Sequence, residues 1–381
     1  MIRLRKYFNG IAMDQPKEFI PVYEPLLNGK EEEYVLDCLR SGWVSSLGKY
    51  IPQFENLFAQ FCGVPYGVAV CNGTVALHLA LTTLGIGPDD EVILPSLTFI
   101  ATANVVRYTG AKVVFADSEE KTWTIDVADI RRKVTARTKA IIPVHLYGHP
   151  ADMRAIMALA KEKGLYVIED AAEAHGAMAY GKRVGSFGNI NAFSFYGNKI
   201  ITTGEGGMLT CNDTGLTERM RFLRDHAMSP EKRYWHTEVG YNYRMTNLQA
   251  ALGVAQMERI DEFLQRKYAL ADIYNEGFSH IHGITLPPKA DWAEPVYWMY
   301  SILINDDFPF SRDEVMKKLK EAGIDSRPFF YPIHTMPPYE NGQSLPVTDN
   351  LSRRGINLPS SITLTTSDLK RILDAFRQMA T

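Results

Sequence analysis

Ser194-Phe-Tyr-Gly-Asn-Lys199-Ile-Ile-Thr-Thr-Gly204-Glu-Gly-Gly207 places a lysine between two apolar runs. Residues 192–196 form the first run, and Gly207-Met208-Leu209 opens the second. The pattern reads as strand, glycine-containing turn, strand, with the lysine near the interior. Burial disfavours an ammonium and leaves a free amine, which attacks carbonyls. Most lysines are exposed to water, so this reading depends on what surrounds the segment.

Upstream, strand-like stretches at 67–70, 91–94, 112–115, 140–144 and 166–169 alternate with helical patterns at 74–84, 100–108, 126–134 and 153–163. Amphipathic patterns at 31–39 and 54–61 precede them. Such alternation predicts a mostly parallel sheet with helices on both faces. Ligands of these sheets bind beyond the carboxyl ends of the strands. Asn72-Gly73 and Asp170 both fall at such ends. Downstream, a helical pattern over 246–278 contains no proline and is suited to bridge two domains. A strand-like stretch at 297–304, a helix at 312–321, a proline- and aromatic-rich segment at 329–346 and a closing helix at 369–379 follow. With the boundary near Arg266, the chain divides into an N-terminal arm over 1–18, a large α/β domain over 19–265 and a smaller C-terminal α/β domain over 266–381.

A length of 381 residues and an apolar share of 46% suit a globular protein with a sizeable core. The formal net charge of −3 favours neither nucleic acid nor an anionic membrane as partner. No apolar stretch reaches membrane-spanning length, and 1–18 lacks the apolar core of a secretory signal. Cys38, Cys62, Cys71 and Cys211 have no CxxC spacing, which indicates neither a zinc site nor a disulfide framework and suits a reducing cytoplasm.

Three elements carry chemistry. Cys71-Asn72-Gly73-Thr74 joins a strand to a helix, whose free N-terminal amides and dipole favour a phosphate; Thr74 as a simple helix cap is the competing reading. Asp170 ends an apolar strand in Ile168-Glu169-Asp170-Ala171-Ala172-Glu173-Ala174-His175, and a buried carboxylate needs a cation or strong donors. The protonated pyridine nitrogen of pyridoxal phosphate is one such cation. His175 reads first as a core histidine. Lys199 supplies the amine, and Ser194 is a further phosphate ligand. Phe99 follows a strand end, placed either to stack on a flat ring or to fill the core. Lys232-Arg233 reads as a solvated loop face before a diphosphate clamp.

With these residues in view, the chain resembles the DegT/StrS sugar aminotransferases, of the aspartate aminotransferase (fold type I) class, over residues 20–380. The likeness is carried by the lysine segment and by Trp43-Val-Ser-Ser, Val144-His-Leu-Tyr-Gly-His, Arg233-Tyr-Trp-His, Gly240-Tyr-Asn-Tyr-Arg-Met-Thr-Asn247, Ser326-Arg-Pro, His334-Thr-Met-Pro-Pro-Tyr339 and Gly355-Ile-Asn-Leu-Pro359. Within the family it is most similar to members that aminate C4 of GDP-4-keto-6-deoxymannose; a UDP- or dTDP-linked keto sugar stays open as the substrate. The resemblance implies pyridoxal 5'-phosphate bound covalently through Lys199, with L-glutamate as amino donor. It implies Asp170 at the pyridine nitrogen, Gly73, Thr74 and Ser194 at the phosphate, Phe99 on the ring and Glu173 near the ring hydroxyl. Asn242 would reach the phosphate in a neighbouring subunit, making a homodimer the active unit. Arg244, Arg327, Tyr331 and His334 are candidates for the sugar or diphosphate, against structural roles for Arg327 and His334. Related sugar 3-dehydratases carry histidine at the lysine position, so Lys199 favours transamination. A non-catalytic cofactor-binding regulator is the alternative of a different kind; it would need an appended module, and 1–18 is too short to be one.

Overall fold

Val68, Ala69 and Val70 have no exposed surface. Strands covered on both faces read as continuous apolar runs because neither side meets water. In the computed structural model, which describes residues 18–340 and 342–380, these residues lie in β1 (Tyr66–Val70). It is followed by β2 (Glu91–Pro95), β3 (Lys112–Ala116), β4 (Thr138–Ile141), β5 (Tyr166–Asp170), β6 (Ile190–Ser194) and β7 (Gly207–Cys211). Together they form one sheet in the order β1-β7-β6-β5-β4-β2-β3. β2 pairs parallel with β3 and β4, β4 with β5, and β5 with β6; β7 is antiparallel to β1 and β6. The chain is thus α/β with a mostly parallel central sheet, as the alternation predicts.

Side chains alternate between the two faces. Val68 and Val70 pack into the core that contains Leu79 and Leu94, while Ala69 packs into the opposite core with Phe58 and Phe193. The Gly73–Thr83 and Ala101–Tyr108 helices cover the first face. The Tyr50–Cys62 helix lies on the other, with Phe54 4.9 Å from Phe195 between ring centroids. The expected helices at 153–163 and 312–321 agree with the structure at both ends.

Two expectations are corrected. The strand read over 140–144 stops at Ile141. Pro143 has no amide to donate, and pairing resumes only as a bridge between Val144 and Asp170. The helix read over 246–278 is two helices, Asn247–Met257 and Ile260–Phe278. Arg259 leaves helical geometry between them (φ −123°, ψ 7°) and its guanidinium bonds Asn28 and Glu262 instead.

The Ile260–Phe278 helix links two cores. Phe263 and Leu264 belong to the core beneath the large sheet, whereas Leu270, Tyr274 and Phe278 belong to a second core with Tyr300, Ile302 and Phe376. That second core lies against a four-stranded antiparallel sheet of β8 (Ile284–Thr285), β9 (Tyr300–Ile304), β10 (Arg327–Pro328) and β11 (Gly355–Leu358), in the order β8-β9-β11-β10. The Arg312–Glu321 helix, capped reciprocally by Ser311 and Glu314, and the Thr366–Ala380 helix accompany it. The arm expected over 1–18 lies outside the described residues except for Glu18. Among the described residues no helix is long and apolar enough to cross a membrane.

Gly253 lets the Asn247–Met257 helix approach the Phe54 ring: a Cβ there would sit 2.7 Å from ring carbons. Phe54 cannot retreat, because Phe58 and Phe195 hold it from other sides. Gly253→Val is expected to cost about 2–3 kcal/mol through overpacking, read as a lower denaturation midpoint at unchanged slope.

Candidate active site

Backbone register brings the carboxyl ends of β1 and β6 together with the start of β7. Gly207 stands opposite both Val70 and Ser194. A side chain at Gly207 would strike the Asn72 carbonyl, so glycine is required for this approach. A Cβ on Gly73 would lie 2.7 Å from the Ser194 Cβ. Asn72, not Thr74, caps the Gly73–Thr83 helix, its Oδ1 accepting the Val75 amide at 2.9 Å. The amides of Gly73 and Thr74 then have no intrahelical acceptor and line a cavity of about 410 Å³ together with Ser194. This is a small cradle with free donors and the positive end of a helix, which is a fit for phosphate.

Asp170 ends β5 in the wall of the same cavity. Thr102 Oγ1 donates to its Oδ2 at 2.7 Å and the Ala172 amide to its Oδ1 at 3.3 Å. A carboxylate accepts about four hydrogen bonds, so these two leave room for a cationic donor. Burial raises its pKa, against the bonds from Thr102 and Ala172 and the charge of Lys199. Glu173 is also buried; desolvation pushes its pKa up, and its Oε2 accepts the Tyr147 amide at 2.8 Å. Lys199 is half-buried in the wall between β6 and β7. Desolvation holds its amine below the ordinary lysine value, while Glu173 and Asp170 pull the other way. Its Nζ lies over the Trp298 ring, 3.8 Å from the centroid.

The sites read from the sequence sort cleanly. Gly73, Thr74, Phe99, Asp170, Glu173, Ser194 and Lys199 line one cavity. Phe99 is 57% exposed, so it faces the cavity and is no core residue. Arg327 and Tyr331 line an adjoining cavity of about 620 Å³, which shares Thr98, Phe99, Asn198, Trp298 and Phe330 with the first. His334 is corrected: it is buried, its Nδ1 2.8 Å from Ser96 Oγ, and it lines neither cavity. Arg244 is also corrected for its own subunit's cavity, since its guanidinium bonds Asp225 and Asn242. Asn242 is exposed beside it. His175 is a core residue, ringed by Phe58, Phe193 and Phe195 and kept neutral by burial, with a pKa of about 3. Lys232 and Arg233 are exposed and lie over Trp235 and Tyr234. Thr102, Tyr147 and Trp298 were missed; a threonine second in a helix, or an aromatic 99 residues beyond the lysine, gives no local signal.

A model of the DegT/DnrJ/EryC1/StrS aminotransferase family matches residues 25–377. The chain belongs to that family. It is 48% identical over 362 residues to the GDP-perosamine synthase of Escherichia coli O157:H7, covering 95% of this chain and 98% of the relative. The crystal structure of S. venezuelae DesV in complex with a ketimine intermediate is 37% identical, with a TM-score of 0.87 over 92% of this chain and 94% of that one. The putative sugar aminotransferase Spr1654 of Streptococcus pneumoniae, solved in its PLP-form, is 26% identical, with a TM-score of 0.89 over 96% and 99%. The protein is a pyridoxal-phosphate-dependent aminotransferase. The phosphate cradle, the buried carboxylate with spare acceptor sites and the amine on one cavity wall fit that cofactor.

Two outcomes follow from these environments. Thr102→Val removes a charge-assisted bond of about 1.5–3 kcal/mol from Asp170; pyridoxal phosphate affinity, measured by absorbance titration, should fall roughly tenfold or more. Glu173 has its pKa raised above the ordinary 4.5, so the folded chain keeps that proton while the unfolded chain loses it. Stability of the cofactor-free protein should therefore fall as pH rises from 4.5 through the raised value. Glu173→Gln should flatten that slope in urea midpoints taken across the interval.

Proposed function

We propose that this aminotransferase acts on a nucleotide-linked 4-keto-6-deoxy sugar, converting GDP-4-keto-6-deoxy-D-mannose to GDP-perosamine with L-glutamate as donor, for O-antigen or other surface polysaccharide. The observation that carries the reading is Lys199 beside Asp170 and Glu173 in a cavity that opens into a second, larger one. Identity of 48% to a GDP-perosamine synthase over nearly both whole chains supports the choice of sugar.

When bound, pyridoxal phosphate supplies an electron sink that stabilises the carbanion formed as a proton leaves. The chain's own residues do the rest. The Gly73 and Thr74 amides and Ser194 anchor the phosphate end. Asp170 holds the ring nitrogen in its cationic form, and Thr102 holds Asp170. Phe99 offers a face for stacking, and Glu173 lies near the ring hydroxyl. Lys199 binds the cofactor covalently and, once released, moves a proton at its Nζ. That role needs the neutral amine, which the desolvating wall favours. Arg327 and Tyr331 face the space left for the rest of the nucleotide sugar, whose remote binding energy positions the ketone.

The same reading gives a fold type I layout, with a large unit over 19–265 and a small one over 266–381. The Ile260–Phe278 helix supports it, because its two halves serve different cores. The active unit is a homodimer, with Asn242 reaching the neighbouring subunit's phosphate, and the enzyme works in the cytoplasm. Asn242 is exposed and lines no part of its own subunit's cavity, which supports this.

The decisive measurement is mass spectrometry of products from GDP-, UDP- and dTDP-linked 4-keto-6-deoxy sugars with glutamate. Amination of the GDP sugar is expected; conversion of only a uridine or thymidine sugar refutes the GDP assignment. Lys199→Ala should lose the lysine-bound cofactor absorbance and at least ~10³-fold in turnover, as when a general acid–base group and covalent anchor are removed together.

A further inference from the structure

A second lysine lies behind the first. Lys267, in the middle of the Ile260–Phe278 helix, has no exposed surface. Its Nζ donates to the Trp298 carbonyl at 2.9 Å and to the Ser360 carbonyl at 2.6 Å. No carboxylate contributes to its titration; burial alone brings its pKa down to about 7. A buried amine without a counter-ion costs free energy, and a methionine or leucine would fill that space without the charge.

The carbonyls that Lys267 holds lead to the active site. Trp298 donates its indole N–H to the Asn198 carbonyl at 2.6 Å, one residue before the catalytic lysine. The Lys199 carbonyl accepts the Tyr23 hydroxyl at 2.5 Å, and the Tyr23 ring lies 5.9 Å from the Lys267 amine. Ser360 in turn donates its amide to the Val22 carbonyl at 2.9 Å. Lys267 therefore sits where residues 22–23, 298 and 360 converge, and two of these grip the turn that carries Lys199.

We propose that Lys267 is a positioning residue for Lys199, acting through Trp298, whose indole face is the resting place of the amine whenever it is free. The inference rests on Lys199 being the group that binds the cofactor and moves the proton. Four torsions separate the Lys199 amine from its backbone, so a released amine samples many positions. The aromatic face attracts an ammonium where water is scarce, which selects one of them. Lys267 fixes that face by holding the Trp298 backbone, and the indole N–H fixes the turn. Lys267 lines neither cavity, so its influence on substrate binding is indirect.

The test uses holoenzyme converted with glutamate to its amino-cofactor form, in which Lys199 is free. Acylation of Lys199 by an amine reagent is followed by peptide mass spectrometry against pH, alongside kcat and KM. In Lys267→Met, kcat should fall about tenfold or more, as loss of a near-attack geometry does, with KM for both substrates within about twofold. Lys199 should acylate about threefold faster or more at pH 7.5, because an amine deprived of the aromatic face ionises less readily. Lys267→Arg should restore most of kcat. Parental kcat together with a parental acylation profile in Lys267→Met overturns the proposal. If that variant does not fold, Trp298→Leu decides: faster acylation supports the resting place, and an unchanged profile overturns it. Full turnover by Lys199→Ala would instead defeat the assignment of Lys199, a distinct result.

Discussion

A carboxylate withdrawn from water with acceptor sites left unfilled is the constraint around which the site is built. Asp170 receives one side-chain bond and one long backbone bond. That is too little to stabilise a buried anion, and its proton affinity rises accordingly. A cation in the cavity resolves the deficit, and the ring nitrogen of the family's cofactor is one. The sheet makes this possible. Asp170 is the last residue of a strand buried between β4 and β6, so the backbone gives the carboxylate a fixed position that a loop could not.

The other parts are placed relative to that fixed point. β1, β6 and β7 converge so tightly that Gly73 and Gly207 admit no side chain, and the convergence leaves two helix-terminal amides facing the cavity. The anion end and the cation end of the ligand are thus both set by the large sheet. The amine differs, since it must leave and return. It is carried on a turn outside the sheet and steadied from beneath by Trp298 and Tyr23. Rigid elements hold what stays still, and a braced turn carries what moves.

Much of this was legible in the residues. Strand–helix alternation pointed to the parallel sheet, strand-end positions singled out Asn72-Gly73 and Asp170, and a place between two apolar runs singled out Lys199. Those motifs are local, so adjacent residues suffice to reveal them. What failed was non-local. Periodicity alone cannot see that Arg259 trades its helical geometry for bonds to Asn28 and Glu262. His334, in a segment of prolines and aromatics, resembles a ligand group until its bond to Ser96, 238 residues away, shows that it ties its segment to the residue just after β2. Thr102, Tyr147 and Trp298 each act through a partner far along the chain, so no spacing rule marks them.

By itself the sequence determined the class of chemistry: a phosphate turn and a buried carboxylate at strand ends and an amine on the turn between two strands, in an order that resembles one family of sugar aminotransferases. Local propensity and burial encode these because each depends on a few consecutive residues. Only the tertiary structure decided how far each group is desolvated, which donors reach it, and what lies against the lysine amine. Those properties belong to surfaces that meet only on folding. The Trp298 face and the Thr102 hydroxyl come to Lys199 and Asp170 from distant parts of the chain, and the buried Lys267 holds the Trp298 backbone in turn.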